Sequence, residues 1–231
     1  MPTFQNHLVE SLGRKDRLRL LNLCQQVNLK LTEVLYERGK PIRYVYFPTD
    51  GFISLVAMIE DNAGVEVGMI GREGMLGAQM ALGVQIAPLH ALVQGQGTAW
   101  RISARAFRSE LINCPSLQQI LNRYLYVLMT QLAESAACLR FHQIGPRLAR
   151  WLLMSQDRAQ SDKFHVTQEF LAYMLGVRRV GITTAASNLQ RAGLIEYSRG
   201  ELKVLDRSGL VAAACSCYLA DHRAYKAMLG K

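Results

Sequence analysis

Two short segments of helical periodicity with a single glycine between them, from Thr167 to Gly193, constrain this chain more than any other stretch of its sequence. Thr167 supplies an N-cap hydroxyl, and Phe170, Leu171, Met174 and Leu175 recur on one face, which predicts a helix over Gln168–Leu175. Gly176 permits a tight turn between helices. A second helix, about Arg178–Arg191, buries Ile182, Ala185, Ala186 and Leu189 and stops at Ala192-Gly193, where glycine takes the left-handed cap. This spacing is that of a helix-turn-helix. Leu194-Ile195 and Leu202-Lys-Val-Leu205 then flank Tyr197-Ser-Arg-Gly-Glu201, a hairpin in the position of a wing.

The second helix carries the chemistry. From Gly176 to Leu194 it contains Arg178, Arg179 and Arg191 and no acid. Cations at a helix N-terminus oppose the macrodipole, at a cost of ~0.3–1 kcal/mol for each exposed charge at low salt. A bound polyanion offsets that cost, and duplex DNA supplies both phosphates and guanine edges that arginine reads bidentately. Arg178, Arg179, Thr183 and Thr184 are the candidates for base edges. Thr167, Gln168, Ser187, Arg199 and Lys203 are the candidates for phosphates, Thr183 being suited to either contact. The formal net charge of +9 is unevenly spread: residues 142–231 hold 13 basic and 7 acidic side chains, against 14 and 11 in the longer part before them. Net charge of this kind speaks about partners, here a polyanion, and not about fold.

The remainder reads as an α+β chain. Residues from about Phe4 to Val27 have helical spacing and predict one or two short helices. From Leu31 to Arg105, short β-branched and aromatic runs alternate with the turn signals Arg38–Pro41, Pro48–Gly51, Asp61–Gly64 and Gly95–Gly97, which suggests a sandwich or barrel. Ser116–Phe141 contains no Pro or Gly and predicts one long helix. Its stripe of Leu121, Leu125, Leu128, Leu132 and Leu139, widened by Leu117, Ile120, Tyr124 and Met129, exceeds one packing side and implies a partner helix, read here as that of a second copy. Gly145-Pro146 breaks the chain before another helical stretch at Arg147–Ser155, and Ser208–Lys231 looks like an added amphipathic helix. The expected division is a β-roll domain with N-terminal helices over 1–115, a dimerisation helix over 116–141, and a winged helix-turn-helix domain with a helical tail over 142–231.

Several function classes are disfavoured. The longest charge-free window, Gly74–Trp100, is too rich in Gly and Gln to cross a bilayer, and the first residues lack a basic region followed by an apolar run, so no membrane partner and a cytoplasmic chain are expected. Five scattered cysteines, Cys24, Cys114, Cys138, Cys215 and Cys217, read as buried reduced thiols. Cys215-Ser-Cys217 lacks the usual two-residue spacer, and no neighbour in sequence completes a metal site, so no metal and no cofactor are expected. His90 stands alone in the β region, too few ligands for a metal-dependent barrel enzyme, and no triad spacing is visible, so the chain is not expected to be an enzyme.

The order of these parts resembles the Crp/Fnr (cyclic-AMP receptor protein/fumarate-nitrate regulator) family of transcription regulators over nearly the whole chain. Val166-Thr-Gln-Glu and Leu175-Gly-Val-Arg-Arg look like the family segments that open the first helix and enter the recognition helix. The resemblance implies an N-terminal β-roll of the cyclic-nucleotide-binding type, a long dimerisation helix and a C-terminal winged helix. It implies duplex DNA, a second copy and RNA polymerase as partners, with Arg179 where the family places its guanine-reading arginine. Val180 stands where the family often has Glu, and Thr184 where it has a second Arg, so a target site other than the familiar consensus is expected. Gly74-Met-Leu-Gly77-Ala78 resembles the family's ribose-binding segment with Ala78 in place of its Glu, and the phosphate-binding segment reads Pro88-Leu-His-Ala91. With no Lys or Arg between Glu73 and Trp100, a buried cyclic phosphate has no cation beyond His90, and cyclic AMP is not expected to bind. Iron–sulfur sensing lacks ligands beyond Cys24, and haem would need His7 or His90. The alternative is a ligand- or protein-responsive module whose basic C-terminal domain contacts another polyanion. The effector is left unidentified.

Overall fold

The computed structural model describes residues 6–59 and 64–230. Asn6 is buried: its side chain accepts from the Val9 amide and donates to the carbonyls of Pro48 and Gly74, at 2.9 and 2.8 Å, pinning helix α1 (His7–Glu10) onto the β domain. Helix α2 spans Arg14–Asn22. Helical spacing had extended to Val27, but Gln25–Leu29 is strand β1, held by pairing along Gly97–Arg101. Its own residues alternate only over Val27-Asn28-Leu29, too short a run to mark a strand, so this partner decides its conformation. Phe4 and most of the Asp61–Gly64 turn lie outside the described residues.

Strands β2 (Val34–Tyr36), β3 (Tyr44–Pro48), β4 (Phe52–Met58), β5 (Gly64–Ile70), β6 (His90–Gly95) and β7 (Gly97–Ser103) follow the expected runs closely. With β1 they form two antiparallel sheets, ordered β1-β7-β3 and β2-β6-β4-β5. Phe47, Ile53, Ile70, Met75, Val93 and Ile102 fill the space between them. A short 3-10 turn, Ala78–Leu82, and helix α3, Ala104–Asn113, close the roll; Ser103 caps α3 by accepting from the Ala106 amide.

Helix α4 runs from Pro115 to Phe141, with Pro115 in the first turn, where its missing N–H has no acceptor to lose. It ends in extended backbone at His142 and Gln143, and helix α5 (Ile144–Ala159) starts immediately after. The break therefore precedes Gly145-Pro146, which lie inside the first turn of α5 rather than interrupting the chain. Strand β8 (Lys163–His165), helix α6 (Gln168–Leu175), helix α7 (Arg179–Arg191) and strands β9 (Ile195–Ser198) and β10 (Glu201–Val204) complete a winged helix around Leu148, Leu152, Leu171, Ile182 and Leu210.

The tail is two helices, α8 (Arg207–Ala213) and α9 (Cys217–Leu229), in place of the one expected. Arg207 and Tyr218 both bond Asp157 of α5, at 2.7 and 2.9 Å, so the bend between the helices is fastened to the domain below it. Helix α9 lies along α4, so a helix of the same chain packs on α4, where the breadth of the apolar surface in sequence implies the helix of a second copy. An ion pair between buried Arg158 and partly buried Glu73, at 2.8 Å, joins α5 to the β-roll.

Candidate nucleic-acid interface

Helix α7 is aimed by local devices already visible in its sequence. Thr167 caps α6 by accepting from the Phe170 amide at 3.1 Å, and Gly176 takes φ +62° to make the turn. Arg178 is the N-cap of α7 in extended backbone and Arg179 is its first helical residue, with no side-chain cap and no acid in the first turn. Ile182, Ala185, Ala186 and Leu189 are buried, as the periodicity predicts. The opposite side is exposed at Arg178, Arg179, Val180, Thr183, Thr184, Ser187 and Asn188. Among the described residues, neither Arg178 nor Arg179 enters an ion pair.

The threonine hydroxyls beside them are engaged within the protein. The Thr183 hydroxyl lies 2.7 Å from Gln168 Oε1 and 3.1 Å from the Arg179 carbonyl, and Thr184 donates to the Val180 carbonyl at 3.0 Å. Their protons are committed inside the protein, so outward they offer methyl groups and oxygen lone pairs, which suit a thymine methyl or a base amino group. The same contact brings Gln168 beside Thr183 and ties α6 to α7. Asn188 is likewise engaged by Arg191.

The wing turns at Arg199 and Gly200, both with positive φ (+52° and +85°), the geometry of a two-residue hairpin turn. Arg199 and Lys203 are exposed, on the turn and on β10 respectively. The Tyr197 amide donates to Gln190 Oε1 at 3.0 Å and its hydroxyl to the Val166 carbonyl at 2.7 Å, locking wing, recognition helix and the entry to α6 together. Sequence reasoning missed Gln190 and Tyr197 as positioning residues; an exposed glutamine on a cationic helix gives no signal of a contact seven residues away.

The leucine stripe of α4 divides. Leu121 is fully buried in the chain's own core, and Leu125 and Leu128 pack partly against that core, so these three serve the β-roll first. Leu139 is half-buried, and Leu132 is 39% exposed. The outward stripe consists of Tyr126, Met129, Leu132, Ala133 and Ala136, with Tyr126 and Met129 55% and 67% exposed.

Where the resemblance places a nucleotide, the roll and α4 enclose a cavity of about 180 Å³. Leu55, Val67, Ile70, Met75, Leu89 and Leu128 dominate its wall, and no charged side chain lines it. Ala78 lines it, and His90 is not among its lining residues, so the one candidate counter-charge from the sequence is not at this wall.

A β-roll, a long connecting helix and a winged helix-turn-helix with a cationic recognition helix define the fold of a transcription regulator with a cyclic-nucleotide-binding-type domain. Residues 26–113 match the cyclic nucleotide-binding domain family and residues 146–213 the Crp-like helix-turn-helix domain family, and the chain belongs to the Crp/Fnr family. Similar solved structures include FixK2 of Bradyrhizobium japonicum, with 14% identity, 84% of this chain and 98% of that one covered, and a TM-score of 0.68. They also include CLP of Xanthomonas campestris, described as a c-di-GMP-responsive global regulator (17% identity, 84% and 100% covered, TM-score 0.67). A third is a Crp/Fnr-family regulator from Thermus thermophilus (20% identity, 82% and 98% covered, TM-score 0.67). At these identities the likeness is one of fold. No match is found among curated protein sequences. Among the described residues, no helix is long and apolar enough to cross a membrane.

Proposed function

We propose that the chain is a sequence-specific DNA-binding regulator that acts as a homodimer in the cytoplasm, without cyclic AMP and without catalysing a reaction. The observation that carries this reading is the exposed, acid-free start of α7, held by the Thr183–Gln168 and Tyr197–Gln190 contacts. Arg178 and Arg179 reach base edges, with Thr183 and Thr184 beside them. Thr167, Gln168, Ser187, Arg199 and Lys203 surround that edge and meet phosphates. The outward stripe of α4, Tyr126, Met129, Leu132, Ala133 and Ala136, supports pairing of two copies; two recognition helices then enter successive major grooves about 34 Å apart. RNA polymerase is the partner through which such a dimer would act on transcription.

The uncharged roll cavity supports independence from cyclic AMP. A phosphate placed there would be buried without a counter-charge, which costs more than the ligand's apolar contacts return. Selection of bound duplexes from a random library, followed by mobility shift against single-stranded DNA and RNA competitors, tests the reading. A two-fold symmetric duplex that resists both competitors is the expected product. Preference for RNA or for any polyanion alike would favour a general polyanion-binding module.

A further inference from the structure

Cysteines that merely fill a core have no reason to converge with a histidine, yet three of them do so at the junction between the two halves of this chain. Cys138 lies on the last turn of α4 and His142 is its C-cap residue, while Cys215 lies in the bend between α8 and α9 and Cys217 opens α9. The three cysteines are buried and form a cluster of their own. Cys138 Sγ is 3.6 Å from Cys215 Sγ, Cys217 Sγ is 3.5 Å from His142 Nδ1, and all four donor atoms lie within 4.8 Å of one another. Sequence spacing hid the set because Cys138 and Cys215 are 77 residues apart, and the expectation that nothing completes Cys215-Ser-Cys217 is corrected by the position of Cys138 and His142.

Tetrahedral zinc, with Zn–S near 2.3 Å and Zn–N near 2.0–2.1 Å, holds its donors about 3.5–3.8 Å apart. The two closest pairs here already stand at that separation, and the whole set is too tight for the several irons of a cluster. We propose that Cys138, His142, Cys215 and Cys217 bind one tetrahedral zinc-class divalent ion that fastens the tail to the end of α4. Three thiolates and a neutral imidazole around such an ion leave one negative charge. Four protein donors leave no open position, so the ion is structural and not catalytic. The Cys215 amide also donates to the Pro146 carbonyl at 3.3 Å, so the ion would clasp the end of α4, the first turn of α5 and the head of α9 together. This gives the tail a role that does not depend on DNA binding.

The test is elemental analysis of the full chain, purified under reducing conditions without chelator, together with cobalt substitution. One zinc per chain and the visible bands of tetrahedral, thiolate-bound cobalt are expected. Cys215→Ser and His142→Ala lose the stoichiometric metal, and Cys24→Ser, which alters a cysteine outside the site, keeps it. Should a variant fail to fold, zinc titration of the unaltered chain against a chromophoric chelator still reads the stoichiometry. Failure to bind zinc or cobalt, equal loss of metal in Cys24→Ser, or a Cys138–Cys215 disulfide in the freshly isolated chain would overturn the proposal.

Discussion

The β-roll and the winged helix treat charge in opposite ways. In the roll, the cavity wall is uncharged, and the carboxylate of Glu73 is met by the buried Arg158 of α5. In the winged helix, Arg178 and Arg179 stand exposed at a helix start that electrostatics disfavours, with no acid in that first turn. A fold can keep cations in such a position only at some cost to its stability, whereas an apolar cavity wall offers a buried ion no counter-charge and so rejects it. The difference supports the proposed placement of an anionic partner at the recognition helix and not in the roll.

The contrast is broken most forcefully through α4, which serves both regions. Leu121→Ala opens the roll's core and should lower folding stability by about 2–5 kcal/mol, read from denaturant unfolding. Met129→Glu, on the outward stripe, should leave that midpoint nearly unchanged and shift the sedimentation coefficient toward monomer. If the two variants behave alike, the division of α4 into an inner and an outer face is wrong. Next in size is Arg179→Ala, which should cost ~1–3 kcal/mol in binding to the selected site and relax preference at one base position. Lys203→Ala should weaken every duplex alike and reduce the salt slope by about 1.

A smaller effect sharpens the roll's side of the comparison. Burial raises the Glu66 carboxyl to about 7, against the stabilising hydrogen bond from Ser54 and the charges of Arg150 and Arg158. The folded chain therefore retains a proton that the unfolded chain has released, and stability falls as pH rises from the ordinary carboxylate range to about 7. Glu66→Gln should flatten that slope in thermal unfolding; an unchanged slope would place the titration elsewhere. The smallest expected effect is none: cyclic AMP should give no heat of binding by calorimetry, and micromolar affinity would contradict the uncharged cavity.

Legibility in the sequence followed the range of the interactions. Thr167, Gly176 and the spacing of Ile182, Ala185, Ala186 and Leu189 act within a few residues, and the helix-turn-helix they predict agrees with the structure to within a residue. The wing was equally readable, because Arg199 and Gly200 define its turn locally. Strand β1 was hidden because its conformation comes from β7, some 70 residues away. Leucines at helical spacing on α4 marked an apolar surface but not its owner: Leu121 is buried in the roll core, Leu125 and Leu128 pack against it, and α9 also lies along α4. The Cys138–His142–Cys215–Cys217 convergence needed the folded tail to become visible.

Hydroxyl-radical footprinting of the selected duplex tests the central claim most directly, because it reads contact, symmetry and spacing at once. The account predicts two protected patches on one face of the duplex, centred about one helical turn apart and related by a two-fold axis, both lost with Arg178→Ala/Arg179→Ala. A single patch, uniform protection, or a two-fold footprint that survives loss of both arginines would contradict it.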